Sequence, residues 1–159
     1  AEAGGLCGGR CTDCHQQAGR RAMAVDRHGR SGRVRILLDT NALLMPAQFG
    51  VDLYDELLAL FGDFEPIALE EVVGELSGLA RGRGRDAAAA RVGLALVRRS
   101  TVVPSGSTAE GVDNRVIEYA RREGCTVVTN DRELRNALLR EGVDVVSMRR
   151  QKTLELLRG

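Results

Sequence analysis

The stretch Val34-Arg35-Ile36-Leu37-Leu38-Asp39 decides the fold, because its apolar run predicts a buried strand that ends directly in a carboxylate. A second stretch of the same form, Val127-Val128-Thr129-Asn130-Asp131, lies much later in the chain. Between and after these stretches, apolar runs alternate with helical periodicity across short turns that contain glycine. This alternation predicts βαβ units, so we expect an α/β fold, a three-layer α/β/α sandwich around a central, mostly parallel sheet.

The predicted elements fill one domain, which spans residues 34–150. The strands cover 34–39, 64–68, 101–103, 125–129 and 143–147, and the helices cover 52–61, 69–80, 85–99, 111–123 and 131–141. Residues 1–33 are rich in Gly, Arg and Gln without a sustained apolar period, so we expect a flexible N-terminal extension there. Residues 151–159 are assigned to a C-terminal tail.

Composition excludes several classes of protein. The 159 residues carry 23 Lys plus Arg against 22 Asp plus Glu, and this balance argues against a polybasic nucleic-acid binder. No apolar run reaches the roughly 18 residues of a membrane span. The extension lacks the apolar segment of a secretory signal, so we expect a cytoplasmic protein.

The distribution of histidine restricts the chemistry. Both histidines, His15 and His28, precede Val34, so a catalytic centre of the Ser-His-Asp, Cys-His or His-metal type cannot be built within the domain. Catalysis there would have to use carboxylates, hydroxyls and a bound metal. The missing glycine-rich phosphate loop argues against a nucleotide-binding domain.

Two carboxylates are expected to converge, because ligands of open parallel sheets bind beyond the carboxyl ends of the strands. Asp39 and Asp131 each follow a strand and therefore face one crevice. Two such charges repel by about 4 kcal/mol at 4 Å in a partly desolvated site, and a cation would offset this repulsion. Oxygen ligands select Mg²⁺ or Mn²⁺ over Zn²⁺. The alternative is that Asp39 caps a turn and Asp131 caps the next helix.

Further acids lie near the same crevice. Asp113 is in the first turn of its helix, where the helix dipole alone would favour a carboxylate. Glu75 and Glu70 lie on opposite flanks of an apolar helical stripe, and Glu71 is expected on its exposed side. Periodicity does not choose between Glu70 and Glu75.

Four motifs in order resemble the PIN-domain ribonucleases, over residues 34–150. They are Asp39-Thr40-Asn41, Glu75 in Val-Val-Gly-Glu-Leu, Asp113 in Gly-Val-Asp-Asn-Arg-Val-Ile, and Thr129-Asn130-Asp131. The resemblance implies a metal-dependent endoribonuclease that hydrolyses phosphodiester bonds of single-stranded RNA. It gives Asp39, Glu75, Asp113 and Asp131 the catalytic role of holding Mg²⁺ or Mn²⁺.

The resemblance also implies residues that fix these carboxylates by hydrogen bonds, namely Thr40, Asn41, Thr129 and Asn130. Asn114 belongs to the same outer set, at a position where processing-type relatives often carry a second Asp. An amide is an uncharged and weaker ligand, so the number of metal ions, one or two, stays open.

The biological role stays open as well. The ending at residues 146–155 is more similar to archaeal and eukaryotic PIN proteins of pre-ribosomal RNA processing than to typical VapC toxins. The resemblance therefore implies an RNA substrate, a homodimer, and either a pre-ribosome or an antitoxin as partner. The alternative from another class is a non-catalytic PIN domain that binds RNA or protein.

Two other features have competing interpretations. Cys7, Cys11, Cys14 and His15 have the spacing of a small zinc site, or belong to an unstructured tail. Arginine clusters could line an RNA path, or each could be a solvated helix end or loop. These clusters are Arg81-Arg83-Arg85, Arg98-Arg99, Arg121-Arg122 and Arg149-Arg150.

Overall fold

The computed structural model describes residues 32–159 of the protein. The predicted extension, apart from residues 32 and 33, lies outside the described residues, and so does the cysteine and histidine cluster at residues 7–15. The elements follow the order β1 (Val34–Leu38), α1 (Thr40–Phe49), α2 (Leu53–Phe61), β2 (Phe64–Leu69), α3 (Glu70–Ala80), α4 (Arg85–Val97), β3 (Thr101–Val103), α5 (Val112–Glu123), β4 (Thr126–Val128), α6 (Arg132–Arg140), β5 (Val145–Arg149) and β6 (Thr153–Leu157).

The strands form one sheet in the order β3-β2-β1-β4-β5-β6, which is parallel except for the antiparallel β6. Ile36, Leu37 and Leu38 of the central strand β1 are wholly buried. Burial on both faces is the reason that β1 has a continuous apolar run rather than an alternating one. The predicted α/β fold with a mostly parallel sheet is therefore confirmed.

The chain changes direction across the sheet between β1 and β4. From β1 it proceeds to β2 and β3 on one side, and α5 then carries it back to β4 on the other side. Right-handed crossovers place α1–α4 on one face of the sheet and α5 and α6 on the opposite face. In open parallel sheets a crevice lies where the strand order reverses, which in this sheet is at the carboxyl ends of β1 and β4. Asp39 and Thr129 are the residues that follow these two strands.

Helix α1 has no counterpart in the predicted elements. It begins directly after Asp39, contains Pro46, and buries four consecutive residues, 42–45. An internal proline and a continuous buried run both hide the helical periodicity. The burial arises because α4 packs closely on α1: a Cβ at Gly93 would lie 2.8 Å from the carbonyl oxygen of Leu43.

The predicted C-terminal tail at residues 151–159 is wrong as a structural description, because Thr153–Leu157 form β6 and pair with β5. The two strands are joined by a tight turn in which Arg150 and Gln151 have positive φ angles of 52° and 57°. Glycine and asparagine are the residues that signal such a turn, and neither is present there. Leu154 is buried, and its backbone N–H donates to Glu56 of α2 over 3.2 Å.

Within residues 32–159, no helix combines the length and the apolar character that crossing a membrane requires.

Candidate active site

Asp39 is the most buried of the four predicted acids, with 2% of its surface exposed. Its backbone N–H donates to the carbonyl of Val128 over 3.2 Å, so the residue is fixed at the point where β1 and β4 end side by side. The pKa of Asp39 is raised to about 6, chiefly by burial and to a smaller extent by the negative charge of Asp113. Hydrogen bonds from the Thr129 hydroxyl and from the backbone of Thr40 and Asn41 oppose this rise.

Thr129 connects Asp39 to Asp131. Its hydroxyl donates to Oδ2 of Asp39 over 3.0 Å and accepts the backbone N–H of Asp131 over 3.1 Å. Asp131 is also the N-cap of α6, because its Oδ1 accepts the backbone N–H groups of Glu133 and Leu134 at 2.8 and 3.1 Å. The helix cap and the place in the acidic cluster, which the sequence presents as alternatives, therefore coexist in one side chain.

Glu75 is joined to the same crevice by Thr40, the first residue of α1. The Thr40 hydroxyl donates to Oε2 of Glu75 over 2.7 Å. Glu75 itself is exposed on α3, while Thr40 is buried. Within residues 32–159 the Glu70 carboxylate forms no such hydrogen bond, so the contact distinguishes Glu75 from the other flank of the helix.

Asp113 lies in the first turn of α5, after the N-cap Gly111. Burial raises its pKa, and the negative charges of Asp131, Glu75 and Glu133 raise it further. Together with the effect of Asp113 on Asp39, these repulsions indicate that Asp113 lies close to the acid that follows β1, to Glu75 of α3 and to the acids at the start of α6. Glu133 is an addition that the sequence analysis missed, because an acid in the first turn of a helix is explained by the helix dipole.

The predicted asparagines are placed differently from the threonines. The Asn114 amide donates to the carbonyl of Glu110 over 2.8 Å, one turn earlier, and not to an acid of the cluster. Asn41 contributes through its backbone, and Asn130 is exposed. Within residues 32–159, the hydroxyls of Thr40 and Thr129 thus donate to two of the four acids, Glu75 and Asp39.

The expectation that Glu71 lies on the exposed side of α3 is wrong. Its carboxylate is mostly covered, accepts hydrogen bonds from the hydroxyl and backbone N–H of Ser105, and pairs with Arg115 at 3.3 Å. The loop that follows β3 folds over this part of α3, and the helical periodicity of α3 alone contains no information about that loop.

The donor set is made of oxygen. Residues 32–159 contain no histidine, and their cysteine, Cys125, is buried in the apolar core. Carboxylate and hydroxyl oxygens are the ligands that Mg²⁺ and Mn²⁺ prefer, so the residue types fit a hard divalent cation. Within the same range, no three His, Cys, Asp or Glu side chains already meet in a group that could hold a metal ion. The four acids are neighbours that repel one another rather than a closed coordination shell.

Comparison with known proteins agrees with this fold. A family model described as a PIN-like domain matches residues 36–152, so the chain belongs to the PIN-like domain family. It is 34% identical to ribonuclease VapC9 of Archaeoglobus fulgidus over 132 residues, which is 82% of this chain and 94% of that protein. It is 29% identical to ribonuclease VapC4 of Methanocaldococcus jannaschii over 127 residues, which is 77% of this chain and 95% of that protein.

The fold is also similar to a solved structure of the PIN domain endonuclease Utp24. The TM-score is 0.65 at 22% sequence identity, with 79% of this chain and 92% of that chain covered. This likeness shows the shared fold. The resemblance to PIN-domain ribonucleases that the four sequence motifs indicate is confirmed by the family model and by the two VapC relatives.

Proposed function

We propose that this protein is a Mg²⁺- or Mn²⁺-dependent endoribonuclease that hydrolyses phosphodiester bonds of single-stranded RNA. The observation that carries the proposal is the gathering of four acids at the carboxyl edge of the sheet, between β1 and β4. These acids are Asp39, Glu75, Asp113 and Asp131. The two relatives that span most of the chain are both named ribonucleases, which supports the same activity.

The four carboxylates would hold the cation, and each chain residue around them has a defined task. When bound, the metal supplies a Lewis acid that activates water and neutralises charge on the phosphate. Thr129 holds Asp39 and the backbone of Asp131, and Thr40 holds Glu75. Above about pH 6 Asp39 is ionised and available to a cation, whereas its proton competes with the metal at lower pH.

Exposed arginines are the proposed contacts to the RNA backbone. Arg81, Arg83 and Arg85 lie at the connection between α3 and α4, and none of them has an ion-pair partner within residues 32–159. Arg121 and Arg149, in contrast, each lie within 4 Å of a glutamate, Arg121 of Glu141 and Arg149 of Glu155. Unpaired arginines bind phosphates without reading sequence, so the α3–α4 connection is the preferred RNA contact.

For the biological role we favour the ribonuclease of a toxin–antitoxin pair, because the relatives that match most of the chain carry the VapC name. An antitoxin would then be the protein partner, and a cytoplasmic homodimer is the assembly that the family resemblance implies. A role in ribosomal RNA processing stays a prediction that rests only on the resemblance of the C-terminal ending, residues 146–155. An antitoxin gene directly upstream would favour the toxin, and association with pre-ribosomes would favour processing.

A cleavage assay separates this enzyme from a non-catalytic PIN domain that only binds RNA or protein. The substrate is a circular single-stranded RNA, which lacks ends and therefore reports endonuclease cleavage. We expect the wild type to linearise it with Mn²⁺ or Mg²⁺ and to stop when EDTA is added. Cleavage that resists EDTA would exclude the metal mechanism, and binding without cleavage in Mn²⁺ would favour the non-catalytic alternative.

A further inference from the structure

The loop at residues 104–111 leads from β3 to Asp113, and it has a defined internal structure. The backbone N–H of Ser107 donates to the Ser105 hydroxyl over 3.2 Å, and the N–H of Ala109 donates to the Ser107 hydroxyl over 3.0 Å. Ser105 is wholly buried, and its carbonyl accepts a hydrogen bond from Arg122 over 2.8 Å. The path of the chain into α5 is therefore fixed by specific contacts.

Glu71 of α3 anchors this loop. Its carboxylate accepts the Ser105 hydroxyl and, over 3.3 Å, the Ser105 backbone N–H. Burial raises the pKa of Glu71, but the hydrogen bonds from Ser105 and the charge of Arg115 outweigh burial and hold the pKa below its ordinary value. Glu71 is thus an ionised acid on α3 that contacts both the loop and α5.

Arg115 completes the connection from the side of α5. One guanidinium nitrogen lies 3.3 Å from Oε1 of Glu71, and its Nε donates to the carbonyl of Ala109 over 2.8 Å. The guanidinium therefore holds α3 and the loop at the same time. A planar arginine group suits this double task because its donors are fixed relative to one another.

The Glu71–Arg115 ion pair joins the two helices that carry two of the four acids, Glu75 on α3 and Asp113 on α5. Glu71 precedes Glu75 by four residues on α3, and residues with this spacing are neighbours on one helix face. Arg115 follows Asp113 by two residues on α5, so the two side chains lie on different sides of the same helix end. The ion pair therefore joins the same two helices that bring the mutually repelling carboxylates of Glu75 and Asp113 together.

We propose that Glu71, Arg115 and Ser105 are positioning residues that hold α5 against α3, so that Asp113 and Glu75 stay within reach of one cation. The attraction between Glu71 and Arg115 opposes the repulsion between Glu75 and Asp113, which would otherwise separate the two helix ends. The proposal rests on the proposed function, because it assigns these residues to the assembly of the same metal site.

The test compares Arg115→Gln and Glu71→Gln with Arg121→Gln. Arg121 is a matched control, because it also lies on α5 and forms an ion pair, with Glu141 at 2.9 Å, but contacts neither α3 nor the loop. Mn²⁺ affinity is measured by calorimetry without RNA, and cleavage is measured as a function of Mn²⁺ concentration. We expect about tenfold weaker Mn²⁺ binding in the two site variants, an effect of about 1.4 kcal/mol, and no comparable loss in Arg121→Gln.

Two further readouts distinguish positioning from general stability. Saturating Mn²⁺ should largely restore the cleavage rate of Arg115→Gln, because the bound cation itself then draws Asp113 and Glu75 together. Arg115→Lys should bind Mn²⁺ more tightly than Arg115→Gln but more weakly than the wild type. Lysine keeps the positive charge, but it lacks the planar guanidinium that donates to Glu71 and Ala109 together. If Arg115→Gln fails to fold, Glu71→Gln carries the test, because its amide oxygen still accepts from Ser105.

Equal Mn²⁺ affinity in the folded site variants and in Arg121→Gln would overturn the positioning role. That result leaves the proposed function intact when the wild type binds Mn²⁺ and cleaves RNA. A wild type that neither binds Mn²⁺ nor cleaves RNA would instead overturn the proposed function, and the positioning proposal with it.

Discussion

The hydroxyl of Thr129 donates a hydrogen bond to Oδ2 of Asp39 over 3.0 Å and accepts one from the backbone N–H of Asp131 over 3.1 Å. One short side chain thereby connects the acids that follow two neighbouring parallel strands. Thr129 is wholly buried, and its hydrogen bond to Asp39 is shielded from water. Thr129, which directly follows β4, therefore fixes the positions of Asp39 and Asp131 relative to each other.

Replacing Thr129 with valine should move the acid limb of the pH–activity profile to higher pH. The threonine hydrogen bond lowers the pKa of Asp39, so its removal allows burial to raise that pKa further above about 6. Activity needs the ionised carboxylate, and a higher pKa delays ionisation. Cleavage rates measured across pH check this shift, with Thr126→Val as a control that changes another buried threonine, at the start of β4. An unshifted limb in Thr129→Val would contradict the role of the hydrogen bond.

Without metal, Asp39 should make the protein less stable as pH rises. The folded state holds the Asp39 proton up to about pH 6, whereas the ordinary pKa is 3.8, so the free energy of unfolding falls through this interval. The difference between these two pKa values corresponds to a loss of roughly 3 kcal/mol in the free energy of unfolding, at about 1.36 kcal/mol for each pKa unit.

Denaturant unfolding in EDTA at about pH 4 and about pH 7 measures this effect against Asp39→Asn, which lacks the titrating group. We expect the wild type to lose stability relative to Asp39→Asn between these two values. The exposed Asp63, at the opposite edge of the sheet, provides the control variant Asp63→Asn, which should follow the wild type. Parallel pH dependence in the wild type and Asp39→Asn would mean that burial does not hold the proton.

Asp131 allows helix capping to be separated from catalysis. Asn is as good an N-cap as Asp, so Asp131→Asn should keep the stability of α6, whereas Asp131→Ala should lose about 1 kcal/mol. Both variants should lose RNA cleavage, because neither supplies the carboxylate. Unfolding curves and cleavage rates of the two variants check this. Full activity in Asp131→Asn would mean that Asp131 caps α6 and has no catalytic role.

The arginines at the α3–α4 connection should bind RNA through phosphates. Replacing Arg83 with Gln should weaken binding of single-stranded RNA to a similar extent for different sequences. Each lost phosphate contact should reduce the slope of log affinity against log salt by about 0.7. Fluorescence anisotropy at several salt concentrations measures this slope, with Arg121→Gln as the control, because Arg121 is paired with Glu141. An unchanged slope in Arg83→Gln would place the RNA elsewhere.

The fold was predictable where one residue pattern determines one element. The apolar runs of β1 and β4 and the amphipathic stripes of α5 and α6 depend on local periodicity, and the structure places these elements close to the predicted bounds. Helix α1 and strand β6 were missed because tertiary packing determines them. Helix α1 is buried under α4 despite Pro46, and β6 follows a turn whose residues, Arg150 and Gln151, carry no turn signal.

Strand ends and motifs were enough to propose the candidate acids, but the contacts around them were not predictable. The bonds from Thr40 to Glu75 and from Thr129 to Asp39 join residues 35 and 90 positions apart. Glu71 was misplaced because its partners, Ser105 and Arg115, belong to a loop and a helix far along the chain. Local periodicity shows which face of a helix is apolar and contains no information about which distant loop covers the other faces.

The most direct test of the central claim is a crystal of the protein soaked in Mn²⁺ and measured at a wavelength where manganese scatters anomalously. We predict an anomalous peak among Asp39, Glu75, Asp113 and Asp131, and its loss in Asp39→Asn crystals. A wild-type crystal that shows no peak at these four carboxylates, or a peak that persists unchanged in Asp39→Asn, would contradict the proposed metal site.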